Sequence, residues 1–373
     1  MTILGRRSFV GAAAAAPVLA LAAGRAAAGA PMADPPIFGP PPGVALLSRN
    51  ENPYGPAPSA LQAMAEAAGS GCYYADAGHR RLTAMIAERF GVAPEQVVVG
   101  SGSTEVLSAA ALAYAEEGSI LAPELFWAST VEYAERKGAT VERVALAPDM
   151  SINLAAMKAA AVPGVSLIHI CNPNNPTGMV LDGDQLRRFI RAVGPQTTVL
   201  VDEAYNELTD KPEDSSVVDL VGQGHKLIVC RTFSKIYGLA GLRVGYAITT
   251  PEIAQKLYGY LMSFGGNSAG LAAAIASFQD TAFAAFSKSR IVEARGIILD
   301  AVNRAGLTAL PSETNFVYVK VPDADAVQMA MASRKIMIRG SYGPEWSRYS
   351  RVSTGRIEDV RRYAAALPEV IGA

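Results

Sequence analysis

Short β-branched runs spaced by alanine-rich helical patterns constrain this chain more than any other feature. Runs at 97–99, 119–121, 141–144, 165–170, 199–201 and 226–230 are each bounded by Gly, Pro or Asn, and the segments between them carry helical patterns. Strands separated by helices build βαβ units, which assemble into a mostly parallel central sheet flanked by helices, an α/β fold. Such a sheet binds its ligand at the carboxyl ends of the strands, so chemistry is expected just after each run. Beyond about residue 266 the pattern changes. One long helix is expected over 272–304, followed by strands at 315–321 and 336–339 and a closing helix from 358, which reads as a smaller α+β domain. The expected organisation is an arm at 43–70 that joins the small domain, a large domain at 71–265 and a small C-terminal domain at 266–373.

The 373 residues are half apolar and carry a formal net charge of −1, with no long run of either sign. That balance points away from nucleic acid and from anionic membrane surfaces, and toward a small-molecule ligand. Cys72, Cys171 and Cys230 are an odd number without a short paired spacing, and His79, His169 and His225 are scattered singly. Neither a disulfide framework nor a metal site is expected.

The first thirty residues read as an address. Arg6-Arg7-Ser8-Phe9-Val10 precedes an alanine-rich apolar run to about Ala23, and small residues follow at 26–30. A charged start, an apolar stretch and a small-residue cleavage region make a signal peptide, and the paired arginines resemble a twin-arginine export signal, which hands folded proteins to the twin-arginine translocation machinery. The run is shorter than the roughly 20 residues a spanning helix needs, so stable membrane insertion is not expected. The expectation is export, to the periplasm, after folding in the cytoplasm. A Pro-rich linker at 31–42 would follow.

Four strand ends then carry the chemistry. After 97–99 comes Gly100-Ser101-Gly102-Ser103-Thr104 and a helical pattern, small residues that let the backbone close on an anion beside the positive end of a helix. After 165–170 comes Cys171-Asn172-Pro173-Asn174-Asn175-Pro176-Thr177-Gly178, and after 199–201 comes Asp202-Glu203-Ala204-Tyr205. A carboxylate ending a buried strand is costly unless paired, and a protonated pyridine nitrogen is a suitable partner. After 226–230 comes Arg231-Thr232-Phe233-Ser234-Lys235, with Arg243 eight residues beyond the lysine. Lys235 ends an apolar strand in a small polar turn, where desolvation and nearby cations would lower its pKa toward nucleophilic use.

This ordered set resembles the class I/II pyridoxal phosphate-dependent aminotransferases of fold type I, from about Leu47 to the C-terminus. Through Asn50-Glu51-Asn52-Pro53-Tyr54-Gly55-Pro56 and Arg231-Thr232-Phe233-Ser234-Lys235 it is most similar to the histidinol-phosphate aminotransferase-like subfamily. The resemblance implies pyridoxal 5'-phosphate held as a Schiff base on Lys235, which would also shuttle the proton at the substrate Cα. It implies that Asp202 keeps the ring nitrogen protonated and that Asn175 and Tyr205 bond the ring oxygen. Ser103, Thr104, Thr232, Ser234 and Arg243 would hold the cofactor phosphate, and Phe126, or its neighbour Trp127, would stack on the ring. Tyr74 aligns with a tyrosine that reaches the partner subunit's cofactor, which implies a homodimer.

For the substrate, the resemblance implies that Tyr54, Arg339 and Arg351 bind it, Arg351 gripping an anionic group in a bidentate pair and Arg339 supplying a second cation. The expected reaction moves an amino group from an anionic amino donor, histidinol-phosphate-like or an amino acid, to a 2-oxo acid. A decarboxylase acting on an amino acid phosphate begins from the same complex on the same fold. An inactive binding protein built on the aminotransferase body is the alternative from another class. The segment 340–350, with Tyr342, Trp346 and Tyr349, departs from the pattern of the subfamily and points to an unusual side-chain pocket.

Overall fold

In the computed structural model, residues 36–372 are described; the expected leader at 1–30 and the start of the linker lie outside them. Residues 36–42 carry bends and no helix or strand. In the body that begins at Gly43, the first strand, β1 (Ala45–Leu46), belongs to the arm. The next seven are β2 (Val97–Gly100), β3 (Ser119–Pro123), β4 (Val141–Val144), β5 (Val165–Cys171), β6 (Thr198–Asp202), β7 (Leu227–Thr232) and β8 (Gly245–Ile248). They form one sheet in the order β2-β8-β7-β6-β5-β3-β4. All neighbours are parallel except β8, which runs antiparallel to both β2 and β7.

Strand β8 is absent from the sequence reading. Its four residues follow the loop that carries Lys235, and that connection is too short for the crossover helix a parallel strand requires, so the chain turns back. In β6, β7 and β8 every residue is buried, because helices cover both faces. Val199 and Val201 of β6 pack with Leu186, Phe189 and Ile190 of the helix Gly183–Val193, whereas Leu200 between them packs with Val106 and Ala110 of the helix Ser103–Ala115. The alternation of side chains along a strand thus serves two apolar layers.

The remaining strands are β9 (Thr308–Ala309), β10 (Phe316–Lys320), β11 (Ile336–Met337) and β12 (Tyr349–Ser353). β12, β10 and β9 form an antiparallel sheet, and β1 of the arm pairs in parallel with β11. Leu47, Val317, Val352 and Tyr363 share one core, so the arm and the C-terminal elements are packed together.

The helix expected over 272–304 is instead two helices, Ser268–Gln279 and Thr281–Arg304, which meet at 85°. Asp280 causes the break. Its carboxylate accepts from the Phe283 amide at 2.9 Å, capping the second helix, and from Ser59 Oγ at 2.6 Å. An N-cap aspartate satisfies the amides of a new helix start better than it serves a helix interior. Among the described residues no single helix is long and apolar enough to cross a membrane.

Candidate active site

The carboxyl ends of β2, β5, β6 and β7 open into a cavity of 570 Å³. Ser103, Thr104, Phe126, Asn175, Asp202, Tyr205, Thr232, Ser234, Lys235, Arg243, Arg339 and Arg351 all line it. The structure does not bring Tyr54 or Tyr74 to it. The Tyr54 hydroxyl accepts from the Ile357 amide at 3.2 Å and its ring meets Phe286 edge-on, so it braces the arm against the C-terminal helix. Tyr74 is largely exposed, stacks on Phe264 at 4.5 Å, and lines a neighbouring hollow that shares Arg243 with the first.

Of two adjacent buried acids, only one is free. Glu203 accepts from Arg231 at 2.8 and 3.0 Å, from Ser216 Oγ and from the Val217 amide, so it is fully engaged on the far side of the strand. Asp202 ends β6 facing the cavity, accepts a bond from the Ala204 amide at 3.1 Å and has no cation in ion-pair contact among the described residues. Burial pushes its carboxyl up to about 6, against the Ala204 bond and the Lys235 charge. A cationic partner above it would reverse that cost.

Lys235 follows β7 through Phe233 and Ser234. Its Nζ donates to the Asn50 carbonyl at 3.3 Å and lies 5.4 Å from the centre of the Tyr205 ring. Burial lowers its pKa to about 8, with the Arg351 charge acting in the same sense. An amine so placed loses its proton at a pH where an exposed lysine keeps it, as a nucleophile and proton carrier must. The Tyr205 hydroxyl accepts from Asn50 Nδ2 at 3.2 Å and Asn175 Nδ2 at 3.4 Å, and burial raises its pKa.

At one end of the cavity the helix Ser103–Ala115 begins without a side-chain cap. Its first amides are available to an anion, and the helix dipole favours one there. Gly102 before it has φ +78°, and a Cβ at that position would collide with the Arg243 guanidinium. The glycine therefore does two things: it supplies the left-handed turn, and it leaves room for a cation over the helix end. Thr232 Oγ1 donates to Ser234 Oγ at 2.9 Å and adds hydroxyls to the same end. Phe126 forms a wall, its ring held edge-on by buried His169 at 5.0 Å. His169 is kept neutral, its pKa lowered by burial to about 3.

At the opposite end, Arg351 of β12 donates to Asn175 Oδ1 at 2.6 Å and to the Ser48 carbonyl at 2.7 Å. Arg339 pairs with it across an antiparallel bridge, and both guanidiniums face the ring of Tyr342.

These residues fit pyridoxal 5'-phosphate: a lysine disposed to lose its proton, a buried carboxylate awaiting a cation, two groups at an aryl oxygen's reach of each other, and an uncapped helix end under an arginine. A match to the class I and II aminotransferase family spans residues 42–367. The chain belongs to this family. The aminotransferase is 36% identical over 332 residues to a histidinol-phosphate aminotransferase of Symbiobacterium thermophilum, covering 87% of this chain and 90% of that one. Histidinol-phosphate aminotransferase 2 of Ralstonia nicotianae is 37% identical, over 88% and 89% of the two chains. The crystal structure of a histidinol-phosphate aminotransferase from Sinorhizobium meliloti in complex with pyridoxal-5'-phosphate matches with a TM-score of 0.82 at 31% identity, over 88% of this chain and 91% of that one. The protein is a pyridoxal phosphate-dependent aminotransferase with the fold of the fold type I enzymes.

When bound, the cofactor delocalises the electron pair released at the donor Cα. The chain does the rest. Asp202 would keep the ring nitrogen protonated, Lys235 would hold the cofactor and move the proton at Cα, and the amides of Ser103 and Thr104 with Arg243 would anchor its phosphate. Arg351, fixed by Asn175 and Ser48, would orient the donor.

Sequence reasoning quoted Asn50 in a motif without giving it a role. Asn50 sits at φ 57°, is buried, and joins four groups: its carbonyl accepts from Lys235 and from Asn315 Nδ2, its amide Nδ2 donates to Tyr205, and its Oδ1 accepts from Ser353 Oγ at 2.6 Å. The sequence offered only the residue type, asparagine being among the few residues that enter the left-handed region readily; the bend itself appears only in the structure.

Proposed function

We propose that this aminotransferase takes its amino group from a donor bearing a strong anion, of the histidinol-phosphate type, and passes it to a 2-oxo acid. The observation that carries this reading is the pair Arg339 and Arg351, which reach one cavity from paired backbone positions. Among the described residues no carboxylate forms an ion pair with either. Two cations so close repel unless an anion lies between them, and a phosphate monoester supplies more charge than one carboxylate. The names of the relatives support the same class of donor. Testing is direct: turnover with histidinol phosphate, histidinol, and aromatic and acidic amino acids is compared at a fixed 2-oxo acid. The reading requires the phosphate donor to exceed histidinol in kcat/KM by at least tenfold; equal values would overturn it.

The active unit in this proposal is a homodimer in which Tyr74, exposed beside Arg243 and outside its own chain's cavity, completes the partner's phosphate site. The leader at 1–30 is proposed to direct the folded enzyme through the twin-arginine route to the periplasm. N-terminal sequencing of protein from the native host checks the leader, since an intact Met1 would contradict its removal.

A further inference from the structure

The two arginines of the proposed substrate site are held in different ways. Arg351 is fixed by hydrogen bonds to Asn175 and Ser48. The Arg339 guanidinium is held by no hydrogen bond to a backbone or carboxyl group among the described residues; it lies 5.1 Å from the centre of the Tyr342 ring, with the hydroxyl of the same residue beside it. Arg351 lies 5.7 Å from the same ring. An aromatic face attracts a guanidinium and offsets part of the repulsion between two of them.

The ring is itself anchored. Ser341, one residue earlier, donates to Asp325 through its amide at 2.9 Å and its hydroxyl at 2.8 Å. Buried Tyr318 meets the ring edge at 6.1 Å and stacks on Tyr349 at 5.0 Å. A chain of contacts therefore runs from the helix Ala324–Ser333 through Asp325 and Ser341 to Tyr342 and on to Arg339. Without the ring, a long and flexible side chain would be left to wander in solvent, and ordering it on binding would cost affinity.

We propose that Tyr342 is a specificity-determining residue, whose ring face holds Arg339 over the cavity so that a dianionic group on the donor meets two guanidiniums rather than one. The proposal rests on the assignment of this end of the cavity to the donor's anion. It differs from that assignment in placing selectivity on an uncharged residue that carries no anion-binding group of its own on the ring face.

The test is a double-mutant cycle on the holoenzyme, with Tyr342→Leu, Arg339→Ala and both together. Two readouts are taken at pH 8: kcat/KM for a phosphate-bearing donor relative to a monocarboxylate donor, and calorimetric Kd for the unreactive pair phenyl phosphate and benzoate. Tyr342→Leu is expected to lower the preference for the dianion by roughly three- to thirty-fold in both readouts. Tyr342→Phe keeps the face and removes only the hydroxyl, which also lies beside Arg339, and is expected to keep the preference; a loss as large as that of Tyr342→Leu would assign the hold on Arg339 to the hydroxyl and overturn the role of the face. In the Arg339→Ala background, Tyr342→Leu is expected to change the preference by less than about twofold, since the two residues act as a unit. Wild-type enzyme without any preference for the dianion would overturn the donor assignment itself. A wild-type preference that survives Tyr342→Leu, or that falls equally in the Arg339→Ala background, would overturn the role of the ring alone. Retention of the lysine-bound cofactor's visible band confirms that each variant is folded.

Discussion

Asp202 and Lys235 face each other's environment at the floor of the cavity, and burial disfavours the charged form of both. The consequence is a distinctive pH dependence of the cofactor-free protein. Asp202, raised from 3.8 to about 6, binds more protons folded than unfolded across that interval, so stability falls as pH rises through it. Lys235, lowered from 10.5 to about 8, binds fewer protons folded than unfolded above pH 8, so stability rises from there to about pH 10.5. Denaturant melts of the apoprotein should therefore show a trough between about pH 6 and 8. Asp202→Asn removes the acid limb and should stabilise the apoprotein at pH 7 by on the order of 3 kcal/mol, while weakening cofactor binding. An Asp202→Asn apoprotein less stable than wild type at pH 7 would contradict this account of the carboxylate. The sequence made Asp202 legible as a strand-end acid, but not why it and not Glu203 serves the site. That distinction depends on Arg231, Ser216 and Val217 enclosing Glu203 on the other face, and such contacts join distant positions of the chain.

At the level of elements, the functional groups were legible where they follow strands and obscure where they depend on pairing. The ends of β2, β5, β6 and β7 are readable because a short β-branched run followed by Gly, Asn or Asp marks its own boundary. β8 was missed because a four-residue strand that returns antiparallel leaves no helix behind it as a signal. The break at Asp280 was missed because an alanine-rich pattern on both sides of it has the same periodicity, and only the cap reveals the turn. The phosphate end makes a prediction of its own. Gly102→Ala introduces a Cβ where the Arg243 guanidinium lies and forces an alanine into φ +78°. Titration of the apoprotein with pyridoxal 5'-phosphate, followed by absorption, should give a Kd at least tenfold higher than wild type; an unchanged Kd would remove Arg243 and the helix end from the cofactor site.

Taken whole, the molecule draws one cavity from two bodies of structure: Lys235, Asp202 and Asn175 come from the large sheet, whereas Asn50, Arg339 and Arg351 come from the arm and the small antiparallel unit. Asn50 and the Arg351–Asn175 bond link the two: the Asn50 side chain bonds Tyr205 on the cofactor side and Ser353 on the strand of Arg351, so its loss should disturb both the cofactor site and the donor site. Asn50→Ala is expected to lower kcat and raise KM together, and an effect confined to one of them would place the residue on one side only. A proposed dimer adds a dilution test: specific activity should fall with protein concentration in parallel with the dimer fraction in sedimentation. The central claim concerns Lys235, and absorption spectroscopy of the purified holoenzyme during addition of amino donors, one at a time, addresses it. Wild-type enzyme should show a visible cofactor band that the preferred donor bleaches and a 2-oxo acid restores, whereas folded Lys235→Ala protein should show no turnover. A wild-type band that no donor alters, or unchanged turnover in Lys235→Ala, would contradict the account.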